Sequence, residues 1–190
     1  MHLIAQVIDP YLDKFKGQEG YFTADRMRHN YFEKHPQNTE LEEVRLKVSA
    51  IEDDEVHRNG AVESVARHIF SLKDLDQRLQ AGDHGLISEI NNVTRNRELL
   101  DLYAFATRYC NGHNEHTFPI YDRSIDLLLK HYVADTGPVN FQPDFRNYQQ
   151  FAETLSYFVS DTGIHDLNFQ EIDKFLWIYG DKILQELENS

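Results

Sequence analysis

Residues able to do chemistry crowd into Cys110-Asn111-Gly112-His113-Asn114-Glu115-His116 and the following Thr117-Phe118-Pro119-Ile120-Tyr121-Asp122-Arg123. Asp122 stands where a loop turns into an apolar-periodic segment, walled by Phe118, Pro119 and Tyr121. A carboxylate there could activate a water or stabilise a developing cation. The same position suits an N-cap, whose carboxylate accepts backbone N–H bonds at a helix start. Around it Asn111, His113, Asn114, His116, Tyr121 and Arg123 supply donors, acceptors, an aromatic face and a cation, and are the candidate substrate contacts. Cys110, His113 and His116 also fall at C-x2-H-x2-H spacing, which invites zinc. That set gives three ligands, and a fourth would have to come from Asp122 or His131. Polar turn residues that hold a loop by side-chain–backbone bonds account for the same composition. The reading taken is no metal and no cofactor. Cys110 ends an apolar segment without a catalytic-cysteine signature and reads as a small buried residue. The chain carries no nucleophile elbow, phosphate loop or dinucleotide fingerprint.

The elements that position this stretch read as helices. Apolar residues recur at helical spacing along the chain, and no segment gives four clean apolar/polar alternations between turn signals. Pro10 interrupts the first helical pattern, with a kink or a later start near Asp9 as the alternatives. Thr39-Glu40-Leu41-Glu42 has the form of a capping box, opening a helix to about Asp54. A central helix is expected from Thr94 to Cys110, apolar nearly all round its later turns and therefore buried. Another is expected over 122–133, a third over about 144–159, and a last one capped by Asn168 with Glu171. The expected fold is all-α, a single domain over residues 1–190 with about 8–10 helices.

Composition narrows the function classes. The 190 residues are 41% apolar and 12% aromatic, which supports a core and argues against disorder. No apolar run approaches the roughly 20 residues a membrane helix needs. Met1-His2-Leu3-Ile4-Ala5 lacks the basic and apolar regions of a signal peptide. A single cysteine leaves no internal disulfide framework. A cytoplasmic location and no membrane partner are expected. Net charge is −13. Such a field repels phosphate backbones, which argues against extended duplex DNA as a partner. The charge is uneven: between Tyr103 and Tyr132 three basic residues balance three acidic ones, with three histidines besides.

Residues 104–125 resemble the helix-hairpin-helix DNA glycosylases, the archaeal-type 8-oxoguanine glycosylases in particular. Ala106-Thr107-Arg108-Tyr109-Cys110-Asn111 is similar to the buried-helix half of that family's pattern. Pro119-Ile120-Tyr121-Asp122-Arg123-Ser124-Ile125 is similar to the half that carries its aspartate, at the family's separation without a gap. The resemblance implies a helical glycosylase-like fold, a role in base excision repair, and Asp122 as the reactive carboxylate. Ala104 stands where the family has its catalytic lysine, and Asp101 and Leu102 fall near its hairpin glycines. What it implies here is therefore monofunctional N-glycosylase chemistry through Asp122, on a nucleobase, a nucleoside or an unpaired DNA base. The alternative is a non-catalytic module of the same fold that docks partners through its acidic face. The sequence leaves oligomeric state open.

Overall fold

Where the longest buried helix was expected to begin, the chain instead makes a hairpin. In the computed structural model, which describes residues 3–16, 23–58, 60–137 and 142–189, Thr94–Arg95 (β1) pairs antiparallel with Glu98–Leu99 (β2). Asn96 and Arg97 form the two-residue turn, with φ of 52° and 71°. Two successive positive φ values match the right-handed strand twist of a tight hairpin. Asn, Thr and Val lose more on entering a helix than straight-chain residues do, and Asn91-Asn92-Val93-Thr94 concentrates them. Asn91 Oδ1 then accepts from Leu102 N at 2.7 Å, and only at Tyr103 does the buried helix start.

The described residues otherwise form eleven helices, so the fold is all-α apart from that hairpin. They group into two compact units, one of Met1–Tyr21 with Pro119–Ser190 and one of Phe22–Phe118. The 22–118 unit contains α2 (Thr23–Lys34), α3 (Leu41–Ala50), α4 (Asp54–Arg58), α5 (Val62–Phe70), α6 (Leu75–Ala81), α7 (Gly85–Ile90), the hairpin and α8 (Tyr103–His113). Its centre is α8, against which α2, α6 and α7 pack. Phe105, Ala106, Tyr109 and Cys110 of α8 are fully buried. Helix α3 stops at Ala50, short of the expected Asp54, because Asp53 Oδ1 accepts from Glu55 N and Val56 N and begins α4 afresh. Nor does the Thr39–Glu42 capping box form: Glu40 is the N-cap and makes no side-chain cap bond.

The other unit contains α1 (Leu3–Lys16), α9 (Arg123–Thr136), α10 (Tyr148–Thr162) and α11 (Phe169–Glu188). Helix α1 runs through Pro10 without a break. It packs on α11 through Tyr11 against Tyr179, with ring centroids 5.2 Å apart, and Phe15 against Phe175 at 5.6 Å. Helix α11 packs on α9 near Gly180, where an added Cβ would make only an ordinary 3.5 Å contact with Ser124 Cβ. Helix α10 begins four residues later than expected because Asn147, not Asp144, caps it, accepting from Gln150 N at 3.2 Å. The capping box at Asn168 and Glu171 does form: Glu171 N donates to Asn168 Oδ1 at 2.8 Å and Asn168 N to Glu171 Oε2 at 2.9 Å. Among the described residues no helix is long and apolar enough to cross a membrane.

Candidate functional site

The polar stretch is less a loop than a helix end and a pinned turn. Helix α8 continues through Asn111 and Gly112 to His113, three residues past Cys110, where it was expected to end. The turn at 114–118 is then tied to the rest of its unit on several sides. Asn111, 3% exposed, donates from Nδ2 to Phe118 O at 2.8 Å. Asn114 Nδ2 reaches Leu79 O and Gln80 O at the end of α6, at 3.3 and 3.4 Å. His84 Nε2 lies 3.1 Å from Thr117 O, and its ring is 5.7 Å from Phe118. Gly82 makes room for Thr117: at φ +70° it has the backbone that favours glycine, and a Cβ would lie 2.1 Å from Thr117 Cγ2.

Between this turn and α2 lies a cleft of about 360 Å³. Its floor and sides are Phe32, Pro36, Asn111, Gly112, His113 and Asn114, and its rim is His29, Glu33, Glu115 and His116. Gly112 sets the spacing of the two helices, since a Cβ there would meet the Phe32 ring at 2.8 Å. At the rim Glu115 lies between two imidazoles, 3.8 Å from His29 Nδ1 and 3.9 Å from His116 Nε2.

Behind the cleft wall is a buried polar network that the sequence did not announce. Lys47 of α3 is 0% exposed. Its Nζ donates to Gln37 O at 2.6 Å and to Asn38 Oδ1 at 2.9 Å, and lies 5.8 Å from the Phe32 ring centre. Tyr109 OH donates to the same Asn38 Oδ1 at 2.7 Å. Asn38 in turn donates from Nδ2 to Asp76 Oδ1 at 2.6 Å, and its backbone N lies 3.0 Å from Asp76 Oδ2. Asn38 Nδ2 is also 3.4 Å from His113 Nε2. One amide thus relays between a buried ammonium, a phenol and a carboxylate, which is how buried charge becomes tolerable. Burial pulls the Lys47 ammonium down to about 8, with Asp76 and then Glu43 pulling the other way. Burial also pulls the His113 imidazole down to about 3, helped by the Lys47 cation and opposed by a bond to the Pro36 backbone. His113 is therefore a neutral ring at ordinary pH, stacked edge-on to Phe32 at 5.0 Å and tilted over Tyr109 at 5.2 Å.

The structure gathers four of the expected contacts, Asn111, His113, Asn114 and His116, at this one cleft. It places Tyr121, Asp122 and Arg123 in the other unit. There Asp122 is the N-cap of α9: its Oδ1 accepts from Ile125 N at 2.8 Å and its backbone O from Asp126 N at 3.0 Å. Tyr121 is half-buried, edge-on to Phe151 at 5.4 Å, with burial and Asp126 raising its phenol. Arg123 is exposed. Cys110 is fully buried, and burial raises its thiol well above the ordinary range. Among the described residues no three His, Cys, Asp or Glu side chains come together as a metal site. Lys47, Asn38 and Asp76 were missed by sequence reasoning. One signal was there: Lys47 sits on the stripe of Val44 and Val48 in α3 and Ile51 at its C-cap, where a lysine must be buried with partners.

No solved structure matches this chain. It is 36% identical over 130 residues to an uncharacterized protein of Haemophilus influenzae, a match covering 68% of this chain and 62% of that protein. The chain thus spans 62% of that relative's length. The HI_0787_N family model, described as an N-terminal domain, matches residues 7–117 and so takes in the cleft, the turn through Thr117 and the buried network, while Asp122 lies beyond it. This chain belongs to that HI_0787_N family.

Proposed function

We propose that the 22–118 unit binds a nucleobase or nucleoside in the His113/His116 cleft, and that the chain is a divergent, glycosylase-like helical protein. The observation that carries this is the composition of the cleft. It pairs a neutral, desolvated imidazole and the flat Phe32 ring with a rim on which one carboxylate lies between two histidines. A planar heterocycle wants that combination of flat apolar contact and in-plane hydrogen bonding. At about 360 Å³ the space is at the small end of ligand pockets, roughly 300–1,000 Å³, which suits a ligand of this size. Within the cleft, Asn111 and Asn114 act as frame, because their amides are committed to the turn. His116, exposed at the rim, is left to touch the ligand.

Catalysis is a separate part of the proposal and rests on Asp122, which is not among the residues lining the cleft. The Asp122 Oδ1 is held by the start of α9, and the same helix N-terminus fixes the carboxylate without a lysine nearby in sequence. Monofunctional base hydrolysis needs only such a carboxylate to stabilise an oxocarbenium-like sugar and help place a water. The rival reading is a non-catalytic acidic docking module, and the cap bond of Asp122 favours it. Base release from nucleosides and from single-stranded oligonucleotides carrying varied lesions, measured for wild type and Asp122→Asn, decides between them. Asn caps helices as well as Asp, so the fold holds while the charge is lost. Release by wild type alone supports catalysis through Asp122. Saturable binding of a nucleobase or nucleoside without release, abolished by His116→Ala, leaves a binding module. Absence of both release and binding removes the proposal.

A further inference from the structure

The connection between α2 and α3 is held by side chains from elsewhere in its unit. Residues 35–39 form neither helix nor strand, yet Asn38 is only 7% exposed. Lys47 of α3 donates to Gln37 O and Asn38 Oδ1, and Tyr109 of α8 donates to the same Oδ1. Asp76 of α6 accepts from Asn38 Nδ2 and from its backbone N. These partners fix which way the amide points. An ammonium only donates, so it must face Oδ1, and an ionised carboxylate only accepts, so it must face Nδ2. The second hydrogen of Nδ2 is left for His113 Nε2 at 3.4 Å, and that nitrogen is therefore an acceptor. The His113 proton then sits on Nδ1. The ring also bonds the backbone of Pro36, whose one polar group is its carbonyl. A single imidazole in a single tautomer thus ties the end of α8 to Pro36 and Asn38.

We propose that His113 is an acid-sensitive latch: its protonation releases residues 35–38 from α8 and opens the His113 cleft on the α2 side, while the rest of the 22–118 unit stays folded. An imidazolium donates from both nitrogens, so protonation aims an N–H at an amide NH2 that cannot turn round. The charges around the ring do not rescue it. Lys47 of α3 is a second cation behind it, and the Asp76 carboxylate of α6 is engaged by Asn38. Tyr109 of α8 and Phe32 of α2 face it as neutral rings. His35, on the connection itself, lies 3.3 Å from Glu43, and His29, Glu33, Glu115 and His116 stand at the cleft rim. Phe32 and Pro36 line the cleft with His113, so loosening the connection moves a wall of that cleft. A ring kept neutral when closed and free to protonate when open makes opening easier as pH falls below about 6.5. The device does not depend on what the cleft binds.

Amide hydrogen exchange of the whole chain, resolved by NMR and corrected for the intrinsic pH dependence of exchange, tests this. The Asn38 amide is bonded to Asp76 when the connection is closed. Its protection is expected to fall by about 30-fold from roughly pH 7.5 to 5, while the amides of Val65 and Ile69 in α5 keep theirs. In His113→Gln an amide oxygen can accept from Asn38 and does not titrate, so the fall should vanish. That variant keeps His29, His35, His84 and His116, which isolates the one ring. His113→Phe should be equally insensitive to pH, and either variant that folds serves as the comparison. Wild-type protection at Asn38 that stays flat to within about 3-fold overturns the proposal. So does an equal fall in a variant, or a fall at Asn38 matched by Val65 and Ile69, which is global unfolding.

Discussion

Replacing Lys47 by methionine should make the stability gap between the two proteins depend on pH. The ammonium is wholly removed from water and rests on two acceptors, Gln37 O and Asn38 Oδ1. Burial brings it from 10.5 down to about 8. Between those values the unfolded chain carries the proton and the folded chain does not, so folding becomes more favourable as pH rises through the window. Below about 8 the folded protein holds a buried cation at its full penalty. At 1.36 kcal/mol per pH unit the whole window is worth about 3 kcal/mol, of which about 2 kcal/mol falls between roughly pH 7 and 9.5. Methionine has a similar length and no proton to lose. The bonds it deletes shift the difference by a constant, about 1.5–3 kcal/mol for each charged hydrogen bond, set against relief of the desolvation. The buried Tyr109 phenol is raised well above its ordinary value and stays neutral across the window in both proteins. Urea unfolding followed by far-UV circular dichroism, at half-unit steps of pH, measures the gap. The stability of wild type minus that of Lys47→Met should rise by about 2 kcal/mol from roughly pH 7 to 9.5. A gap that stays flat to within about 0.5 kcal/mol would refute the assignment of Lys47 as a buried, desolvated cation.

Two further perturbations follow from the same geometry. His113 is held down to about 3, so its contribution is present above the unfolded value of 6.5 and is lost as pH falls from there towards 3. His113→Phe keeps a ring between Phe32 and Tyr109 and removes the proton. Its acid unfolding limb should be shallower than that of wild type by about 2.7 kcal/mol near pH 4.5, read from urea midpoints, and identical limbs would rule out a buried neutral imidazole. Gly82→Ala places a methyl against Thr117 Cγ2 at a left-handed backbone position, which should cost about 1–2 kcal/mol for the backbone alone and more for the clash. Placing it in a Thr117→Ser background, which deletes Cγ2, should recover the clash and leave the backbone cost, as a double-mutant cycle would measure.

What the sequence makes legible depends on how local the cause is. The capping box at Asn168 and Glu171 involves two side chains three residues apart, and it forms as read. Helix content is equally local and was legible over most of the chain, because 3.6-residue periodicity needs no knowledge of neighbours. The helix expected from Thr94 failed for a reason that is half local: Asn96 and Arg97 take positive φ, and Arg does not advertise that. The polar stretch at 111–116 was legible as unusual, yet its composition could not tell frame from site. Asn111 and Asn114 carry the side chains of a binding loop and use them to hold the turn, which only the positions of Phe118, Leu79 and Gln80 reveal.

The same logic explains why the chemistry and the signal for it separate in this protein. A buried polar network is stable only when each member is satisfied, so its members come from wherever the fold can deliver a partner. Here they are Asn38 before α3, Lys47 within it, Asp76 on α6 and Tyr109 and His113 on α8, spread over 76 positions of sequence. Only the last of these lies in the stretch that looked functional. That network holds His113 neutral at the cleft wall, and the cation behind it resists protonation of the ring. A cleft whose wall stays uncharged can take a neutral heterocycle across the physiological range. Losing the Lys47 charge would ease protonation of His113, so the two titrations are coupled through a distance of sequence that no motif spans.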